Sequence, residues 1–463
     1  MRIPLWVQIH NSSTFAKPSL IDSIARKTGW LKRKARAISP ISFVKSLLVS
    51  VATGDCSMRA IAIEAGILSE SGGTVSKQSI DERLNSSGVE FIKEIVGQAL
   101  RASAASIAKS PLGRCIPNVS RILVGDSSTL TLHDSLINDF PGASNQHGTT
   151  SAQFRFQLTI DLLSGQWLQT ELDPYRRNDR AAAMDIVKTI VKKGDLIIRD
   201  LGYHTIKSFS AIQDKSAYFL SRLSLSTKII DLDGGEIDLL SFARKHAPRA
   251  GDCFSKEILL GGSKRFKCRI VVKRVPEEVA EQRRRRLNKD GQRKGFTHKK
   301  KHRQLQDWTF LVTSLGEDQA STDQLDELYR MRWRIENVFK LAKSHTKLRK
   351  IAKHRSNKYH VQILIWTWLL LMIGLSQSGM FRMLEESENR AEQIEHSVFK
   401  SIGRIIQWTA LALEIAAIGS IEALLERLRE QLDYHDRDEK RRRKSLPERL
   451  ANVLNAEISP LLT

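Results

Sequence analysis

Cysteine is scarce in this sequence, and the few cysteines are far apart. The 463 residues include four cysteines, and no two of them form a CxxC pair. They are Cys56, Cys115, Cys253 and Cys268. Secreted disulfide scaffolds and structural zinc sites need denser or closely paired cysteines, so the pattern argues against both classes and favours a reducing cytoplasm.

Long hydrophobic runs are also missing. The N-terminal sequence MRIPLWVQIHNSSTFAKPSL has neither the continuous apolar core nor the cleavage site of a signal peptide. The most apolar run, VQILIWTWLLLMIGL at residues 361–375, is shorter than the roughly 20 residues that span a bilayer. We therefore predict a buried helix here and no membrane partner. No repeat recurs at a fixed period, which argues against a solenoid.

Acidic residues are in short supply relative to basic ones. The chain has 51 Asp and Glu against 74 Lys and Arg, which gives a net charge of +23 and an isoelectric point near 9.9. A surface this positive is typical of a protein that binds a polyanion, most commonly nucleic acid, although membrane surfaces and ribosomal RNA remain alternatives. The hydrophobic content of 41% is that of a folded chain. The length predicts roughly two to four domains.

The N-terminal region, residues 1–112, shows helical patterns separated by short turns. One stretch, SMRAIAIEAGILSESGGTVSKQSIDERL, has the outline of helix, turn and helix, with Ser76 as the N-cap of the second helix. Such pairs can enter a DNA major groove, but more often they are plain packing units. The upstream run RKTGWLKRKAR favours DNA contact somewhere in this region.

The pattern changes to an α/β order from residue 121. RILVGDSSTLTL predicts a buried strand that ends in Asp126, and QFRFQLTIDLLSGQWLQTEL predicts two strands joined by a turn. A helix is expected at 179–193, followed by a buried strand in GDLIIRDLGYHTI that ends in Asp200 and by the strand AYFLSRL. This order predicts one sheet with both antiparallel and parallel pairs.

Residues 224–307 interrupt that order with short strand-like pieces and a basic run. From Arg283 to Arg303 the chain holds eleven Lys or Arg and one Asp, which is typical of a solvated loop that becomes ordered on phosphates. WTFLVTSL then restores a strand, and the chain looks helical from Val361 to its end. The C-terminal part includes IEALLERLREQL and the basic patch KRRRK.

The segment LYRMRWRIENVFKLAK, residues 328–343, combines several cations with a carboxylate. An α-helix turns about 100° per residue, so five polar side chains would fall within an arc of roughly 80°. They are Tyr329, Arg332, Glu336, Lys340 and Lys343. A neighbouring apolar arc would dock the helix on a core; it contains Met331, Ile335, Val338 and Ala342. Alone, the pattern also fits a solvated helix with weak i, i+4 ion pairs.

Three carboxylates suggest a sharper interpretation. Asp126 and Asp200 each follow an apolar strand pattern, where either could be a turn residue or a helix cap. Strand ends in α/β sheets also hold functional groups rigidly at an accessible edge. With Glu336 they make an all-oxygen set that suits Mg²⁺ or Mn²⁺. Two such ions activate a water or hydroxyl for attack on a phosphodiester, and the cations of the 328–343 helix would grip the flanking phosphates.

The spacing of Tyr329, Arg332, Glu336 and Lys343 resembles the Y-x2-R-x3-E-x6-K signature of the insertion-sequence-four family of bacterial DDE transposases. The contexts GDSST and DLGY around the two aspartates are similar to those of the first and second catalytic aspartates of that family. The surrounding helix looks most like that of a hairpin-forming, cut-and-paste member. The resemblance covers about residues 20–375.

This resemblance implies a ribonuclease-H-like mixed α/β core with a mostly β insertion. It implies that Asp126, Asp200 and Glu336 are catalytic and hold two Mg²⁺ ions, with Mn²⁺ as a substitute. Relatives of this kind act as homodimers on paired inverted-repeat transposon ends in double-stranded DNA. One strand is nicked, its 3′-hydroxyl attacks the other strand to form a hairpin, and the reopened end joins target DNA. The expected location is the bacterial cytoplasm, in association with the nucleoid.

The resemblance also implies a set of DNA contacts. The expected DNA-binding residues are Arg222 in FLSRL, Tyr329, Arg332, Lys340 and Lys343. Trp308 lies 21 residues before Tyr329, the spacing at which the hairpin-forming relative places a tryptophan that stacks on a flipped base. The alternative for Trp308 is an ordinary core tryptophan at the start of a strand.

These expectations divide the chain into five regions. They are a helical DNA-binding region at 1–112, the first part of the catalytic core at 113–223, a β-rich basic insertion at 224–307, the rest of the core at 308–375 and a helical region at 376–463, where a dimer contact is expected. A metal-dependent nuclease without strand transfer and a DNA-binding regulator without chemistry are the competing functions.

Overall fold

The computed structural model describes the chain from residue 18 to residue 377, with gaps. The described ranges are 18–33, 38–68, 75–106, 116–144, 150–175, 179–203, 205–262 and 265–377. The helical C-terminal region that was predicted for 376–463, with its basic patch, lies almost entirely outside these residues.

Five helices form the described N-terminal part, as the helical pattern predicted. They are α1 (Pro18–Lys27), α2 (Pro40–Thr53), α3 (Met58–Ile67), α4 (Lys77–Asp81) and α5 (Ser86–Ser106). The Ser76 hydroxyl accepts a hydrogen bond from the Ser79 amide, so the predicted N-cap of α4 is confirmed. The second helix of the expected pair, α4, is only five residues long.

Ten strands are described, and they pair into one extended sheet. They are β1 (Arg121–Thr131), β2 (Pro141–Ser144), β3 (Thr150–Asp161), β4 (Trp167–Pro174), β5 (Asp195–Arg199), β6 (Tyr218–Arg222), β7 (Ile229–Ile230), β8 (Cys253–Leu260), β9 (Phe266–Arg274) and β10 (Trp308–Thr313). The order across the sheet is β2, β3, β1, β5, β6, β10, β9, β8 and β7, with β4 also on β3.

The first half of the sheet has the ribonuclease-H-like arrangement. Strand β3 pairs in antiparallel fashion with both β1 and β4, and β5 pairs in parallel with both β1 and β6. Helix α6 (Asp179–Thr189) connects β4 to β5, and α7 (Ile206–Gln213) connects β5 to β6. The predicted mixed α/β fold is confirmed.

The predicted insertion does not form a separate sheet. Strands β7, β8 and β9 continue the central sheet through β10, which pairs with both β6 and β9. The same stretch contains the helices α8 (Leu239–His246), α9 (Glu277–Lys294) and α10 (Lys300–Gln304), so it is richer in helix than predicted. The expectation of a loop for the basic run was wrong over α9, because one side of that helix packs on the protein.

The segment that carries Glu336 is two helices rather than one. Helix α11 (Thr322–Arg330) ends where Met331 and Arg332 form a turn, and α12 (Trp333–His345) follows. Both turn residues keep right-handed helical backbone angles, so neither residue of the junction leaves the helical region of backbone conformation. The predicted apolar stripe is confirmed for Met331 and Ile335, which are buried.

Hydrophobic cores lie on both faces of the sheet. One face packs against the N-terminal helices and α14 (Lys358–Gln377), and the short helix α13 (Leu348–Lys353) precedes α14. The other face packs against α6, α7 and α8. By length and composition α14 would cross a bilayer, but 72% of its apolar window is buried inside the protein. The prediction of a buried helix at 361–375 is confirmed.

Candidate active site

The pairing register of the sheet brings the two predicted aspartates together. β1 pairs in parallel with β5 from Arg121 opposite Asp195 to Val124 opposite Ile198. Two residues further along each strand, the chain reaches Asp126 and Asp200. Neighbouring strands lie about 4.8 Å apart, so the two carboxylates start from adjacent positions at the same edge of the parallel pairing.

Asp126 does not end its strand, which corrects the sequence-based expectation. β1 continues to Thr131, because β3 pairs with it from Leu123 opposite Asp161 to Thr131 opposite Gln153. The burial of β1 changes at Asp126, although the strand does not end there. The residues of β1 are buried through Gly125, and the next three are only half-buried. The carboxylate is therefore held by a rigid strand at the point where the sheet becomes accessible.

Glu336 joins this edge through one arginine. An Arg332 Nη2 nitrogen lies 2.5 Å from Glu336 Oε1, and its Nη1 lies 3.6 Å from Asp126 Oδ2. The Tyr329 hydroxyl donates a hydrogen bond of 3.3 Å to Asp200 Oδ1. Two side chains at the α11–α12 junction thus contact all three predicted catalytic carboxylates.

The charges at this site depend on one another. Burial raises the pKa of the Asp126 carboxyl to about 6. The negative charges of Asp200 and Glu336 also raise this pKa, whereas the hydrogen bond from the Ser127 amide and the charge of Arg332 lower it. Burial alone would lower the pKa of Arg332, but the neighbouring acidic groups outweigh it and the pKa is raised. The site therefore concentrates negative charge that needs a cation.

The three carboxylates are the kind of ligand that a divalent metal prefers, but in this conformation they do not form a ready coordination site. Asp126, Asp200 and Glu336 offer only hard oxygen donors, as Mg²⁺ and Mn²⁺ prefer. Within the described part of the chain, however, no three His, Cys, Asp or Glu side chains stand ready to hold a metal. Arg332 supplies the positive charge between Asp126 and Glu336 instead. A metal held by all three carboxylates would require Arg332 to release Asp126 and Glu336.

The two lysines of the predicted face differ in their surroundings. Lys343 Nζ donates a hydrogen bond of 2.6 Å to Ser128 Oγ, two residues along β1 from Asp126. Burial and then Arg349 lower the pKa of the Lys343 amine. Lys340 is exposed on α12. Lys343 is thus part of the site, and Lys340 faces solvent beside it.

Comparison with known proteins decides the family. Residues 117–372 match the family model described as the transposase DDE domain. The chain belongs to that family. It is a DDE transposase, and the family implies dependence on a divalent metal and action on DNA.

Bacterial insertion-sequence transposases are similar to this transposase over most of its length. The transposase of IS231C from Bacillus thuringiensis subsp. berliner is 26% identical over 407 residues, which are 84% of this chain and 82% of that protein. The transposase of IS1151 from Clostridium perfringens is 24% identical, over 72% of each chain. A piggyBac transposase in a synaptic complex with hairpin DNA is 10% identical with a TM-score of 0.42, covering 93% of this chain and 84% of that one.

A basic cleft of about 740 Å³ opens beside the carboxylates of the transposase. Tyr329, Arg332 and Trp333 form one side of it, and residues of the region 224–307 form the other. Its charged lining residues are Arg222, Lys273, Arg274, Arg283, Arg330, Arg332 and the one acid, Asp326. Asp326 is already paired with Lys273 at 2.8 Å and with Arg330 at 3.1 Å. The cleft therefore suits a polyanion, and Arg222, one of the residues expected to bind DNA, is exposed on it.

Trp308 occupies a core position rather than an open surface. It is 6% exposed, and its indole N–H donates a hydrogen bond of 2.8 Å to the Ala247 carbonyl. The Arg274 guanidinium lies 4.4 Å from the ring centre. In this conformation the alternative of a core tryptophan at the start of a strand describes Trp308, since its ring is covered.

Sequence reasoning missed most of the inner wall of the cleft. Arg283 donates hydrogen bonds to the Trp308 carbonyl at 3.0 Å and to Thr309 Oγ1 at 2.9 Å. Burial, and then Arg222, lower the pKa of Arg283 to about 10. The run RRRR is evident in the sequence, but its basic composition predicts a loop. In a loop there is no helical periodicity that would distinguish the inward-facing Arg283 from the exposed arginines further along the run.

Proposed function

We propose that this transposase cuts an insertion element out of DNA and joins its ends to a target by phosphodiester hydrolysis and transesterification, through a hairpin intermediate. We further propose that it belongs to the insertion-sequence-four group with the Y-R-E-K signature. The observation that carries the proposal is the meeting of Asp126, Asp200 and Glu336 at the Tyr329–Arg332 junction.

The proposed cofactor is a pair of Mg²⁺ ions, for which Mn²⁺ would substitute. Held by Asp126, Asp200 and Glu336, they would activate the attacking oxygen and stabilise the leaving oxygen of an in-line displacement. The protein supplies rigid placement: Asp126 is fixed by β1, and Asp200 directly follows the buried strand β5. Glu336 lies in the first turn of α12, which is anchored through the buried Ile335.

The basic side chains around the carboxylates would position the substrate. With the carboxylates neutralised by bound metal, the Arg332 guanidinium would be free to bind a phosphate, beside the hydroxyl of Tyr329. Lys343, on α12, lies beside Ser128 of β1 near Asp126, where it would bind the next phosphate. Lys340 and Arg222 would contact phosphates further along the strand. Arginine forms paired hydrogen bonds with phosphate, so Arg332 would also orient the strand for attack.

A base-stacking role for Trp308 requires a change of conformation. The indole would have to break its hydrogen bond to Ala247 and leave the core at the start of β10. Such a movement is part of the hairpin proposal, and the hydrolytic nick does not depend on it.

The proposed partners are the inverted-repeat ends of a transposon and a target duplex, with a homodimer assembling two ends. A net charge of +23 supports strong attraction to DNA, and it makes binding sensitive to salt. The proposed location is the bacterial cytoplasm at the nucleoid.

The test is incubation of the purified transposase with Mg²⁺ and a duplex that carries the terminal repeat and flanking DNA. Nicking, then hairpin and joined products, supports the proposal; cleavage without joining indicates a nuclease, and binding without any cut indicates a regulator. Glu336→Gln should bind the duplex normally and cut it roughly a thousandfold more slowly, because a metal ligand is lost. Glu257→Gln, which removes the same charge at an exposed position of β8, is the control. Full cutting by Glu336→Gln would remove Glu336 from the mechanism.

A further inference from the structure

The four consecutive arginines of α9 divide between the two sides of the helix. Arg283 faces inward and bonds to the start of β10, as described above. Arg284 is also turned inward, where it is paired with Glu277 and Asp307. Asp307 is held in addition by Arg274 at 2.7 Å. These contacts fix the helix firmly against the sheet.

The opposite side of α9 forms an exposed stripe of cations, which we call the outer ridge. It consists of Arg285, Arg286, Lys289 and Arg293, all exposed. With about 100° per residue, these four fall within an arc of roughly 100°, while the buried Ala280 and Gly291 lie on the other side. The ridge is therefore a surface feature of one helix face and not an irregular charged loop.

The acidic residues of α9 neutralise only part of the ridge. Glu281 pairs with Arg285 at 3.0 Å, and Asp290 pairs with Arg293 at 2.8 Å. Neither Arg286 nor Lys289 forms an ion pair with any residue that the structure describes. Two of the four cations of the ridge thus have no acidic partner among the described residues, and such a surface suits an external anion.

The length of the ridge matches a DNA backbone. Arg286 and Arg293 are seven residues apart, which is about 10 Å along a helix axis. One strand of B-DNA places about three phosphates over that distance. The same helix also lines the basic cleft through Val279 and Arg283, so the ridge continues outward from the wall of the candidate active site.

We propose that the outer ridge of α9 binds the phosphate backbone of duplex DNA adjoining the cut, as a contact region separate from the carboxylate site. This inference rests on the proposed function, because it takes the DNA in the cleft as the substrate. The contacts are to phosphates and not to base edges, so they add affinity and register without sequence preference.

The test compares two triple variants that lose the same charge. The first is Arg286→Gln, Lys289→Gln and Arg293→Gln on the ridge. The control is Lys188→Gln, Lys192→Gln and Lys193→Gln, exposed lysines near the N-terminal end of β5, at the opposite end of that strand from Asp200. Circular dichroism and thermal unfolding check that both variants fold. Binding to the terminal-repeat duplex with flanking DNA is measured over a range of salt, with a hydroxyl-radical footprint.

The ridge variant should bind roughly tenfold to a hundredfold more weakly at low salt, with a slope of log K against log salt reduced by up to about 3. It should also lose backbone protection next to the cut. An unchanged slope and footprint, or an equal loss in the control, would overturn the inference. Wild-type protein that binds but never nicks would instead count against the proposed function, and the two failures are thus distinguishable.

Discussion

Arg332 stands at the centre of the residue-scale chemistry of this transposase. Its guanidinium pairs with Glu336 and Asp126, and the ring of Tyr329 lies 5.9 Å from it. Arg332 is thus an internal counter-ion of two carboxylates, and the phosphate-binding role proposed for it would require it to leave them. In this conformation its positive charge offsets the repulsion between Asp126 and Glu336.

Replacement of Arg332 tests this double role. In Arg332→Gln without DNA, Mn²⁺ should bind about fivefold more tightly, because the carboxylates no longer have an internal competitor. The factor is modest because Glu336 is 43% exposed and such pairs contribute about 1 kcal/mol or less. DNA cutting should nevertheless slow, since the phosphate contact is lost. Calorimetry or Mn²⁺ electron paramagnetic resonance measures the affinity.

Arg330→Gln is the matched control for that measurement. It removes the same charge from the same cleft, but Arg330 pairs with Asp326 rather than with a predicted metal ligand. An equal gain in both variants would mean that general electrostatics, and not release of Asp126 and Glu336, explains the effect.

At the scale of elements, the sequence predicted the features that depend on residues close together in the chain. The Ser76 cap, the buried strands around Ile122 and Ile197 and the apolar face with Ile335 follow from spacing and hydrophobicity alone. The turn at Met331 and Arg332 was not predicted, because both residues keep helical backbone angles and no Gly or Pro marks the break.

Long-range contacts explain the other differences between sequence and structure. Nothing near Arg283 in the sequence shows that its partners are at Trp308 and Thr309, so the basic composition of the run predicts a loop. That Asp126 and Asp200 lie side by side could be predicted from their positions after apolar strand segments, although β1 continues past Asp126. The pairing of Arg332 with Asp126 and Glu336 could not be predicted, because it depends on how the α11–α12 junction packs against β1. The region boundaries, the two-ion cofactor and the dimer stay predictions.

The start of α11 offers an element-scale test. The Ser321 hydroxyl accepts a hydrogen bond from the Gln324 amide at 3.3 Å, and Gln324 Oε1 accepts one from the Ser321 amide at 2.8 Å. Ser321→Ala should lower the free energy of unfolding by about 1 kcal/mol, because this reciprocal cap is lost. Ser210→Ala, at an exposed position within α7, should change it little. Urea denaturation measures both, and equal effects would show that the cap is unimportant.

At the scale of the molecule, one helix joins the N-terminal helices to the catalytic sheet. Helix α14 packs with α2 and α5 on the sheet face that also supports α12. Trp368 is 1% exposed and lies edge-on to Phe156 of β3, with ring centres 5.9 Å apart. The same Phe156 meets Phe339 of α12 at 5.4 Å, so the core under α14 also supports the helix that carries Glu336.

This arrangement predicts that the described helical layer and the sheet unfold together. Trp368→Ala should lower the free energy of unfolding by about 3 to 5 kcal/mol, because it leaves a large cavity between the two layers. Trp368→Phe should cost less, since it keeps the ring contacts and loses mainly the indole hydrogen bond of 2.8 Å to Thr346 Oγ1. Leu232→Ala, at a side chain that is 50% exposed, should change stability by about 0.5 kcal/mol or less. Denaturation is followed by both circular dichroism and tryptophan fluorescence. Both signals should show one shared transition, whose midpoint is lowered by the Trp368 variants. Two separate transitions would show that the N-terminal helices fold independently of the catalytic sheet.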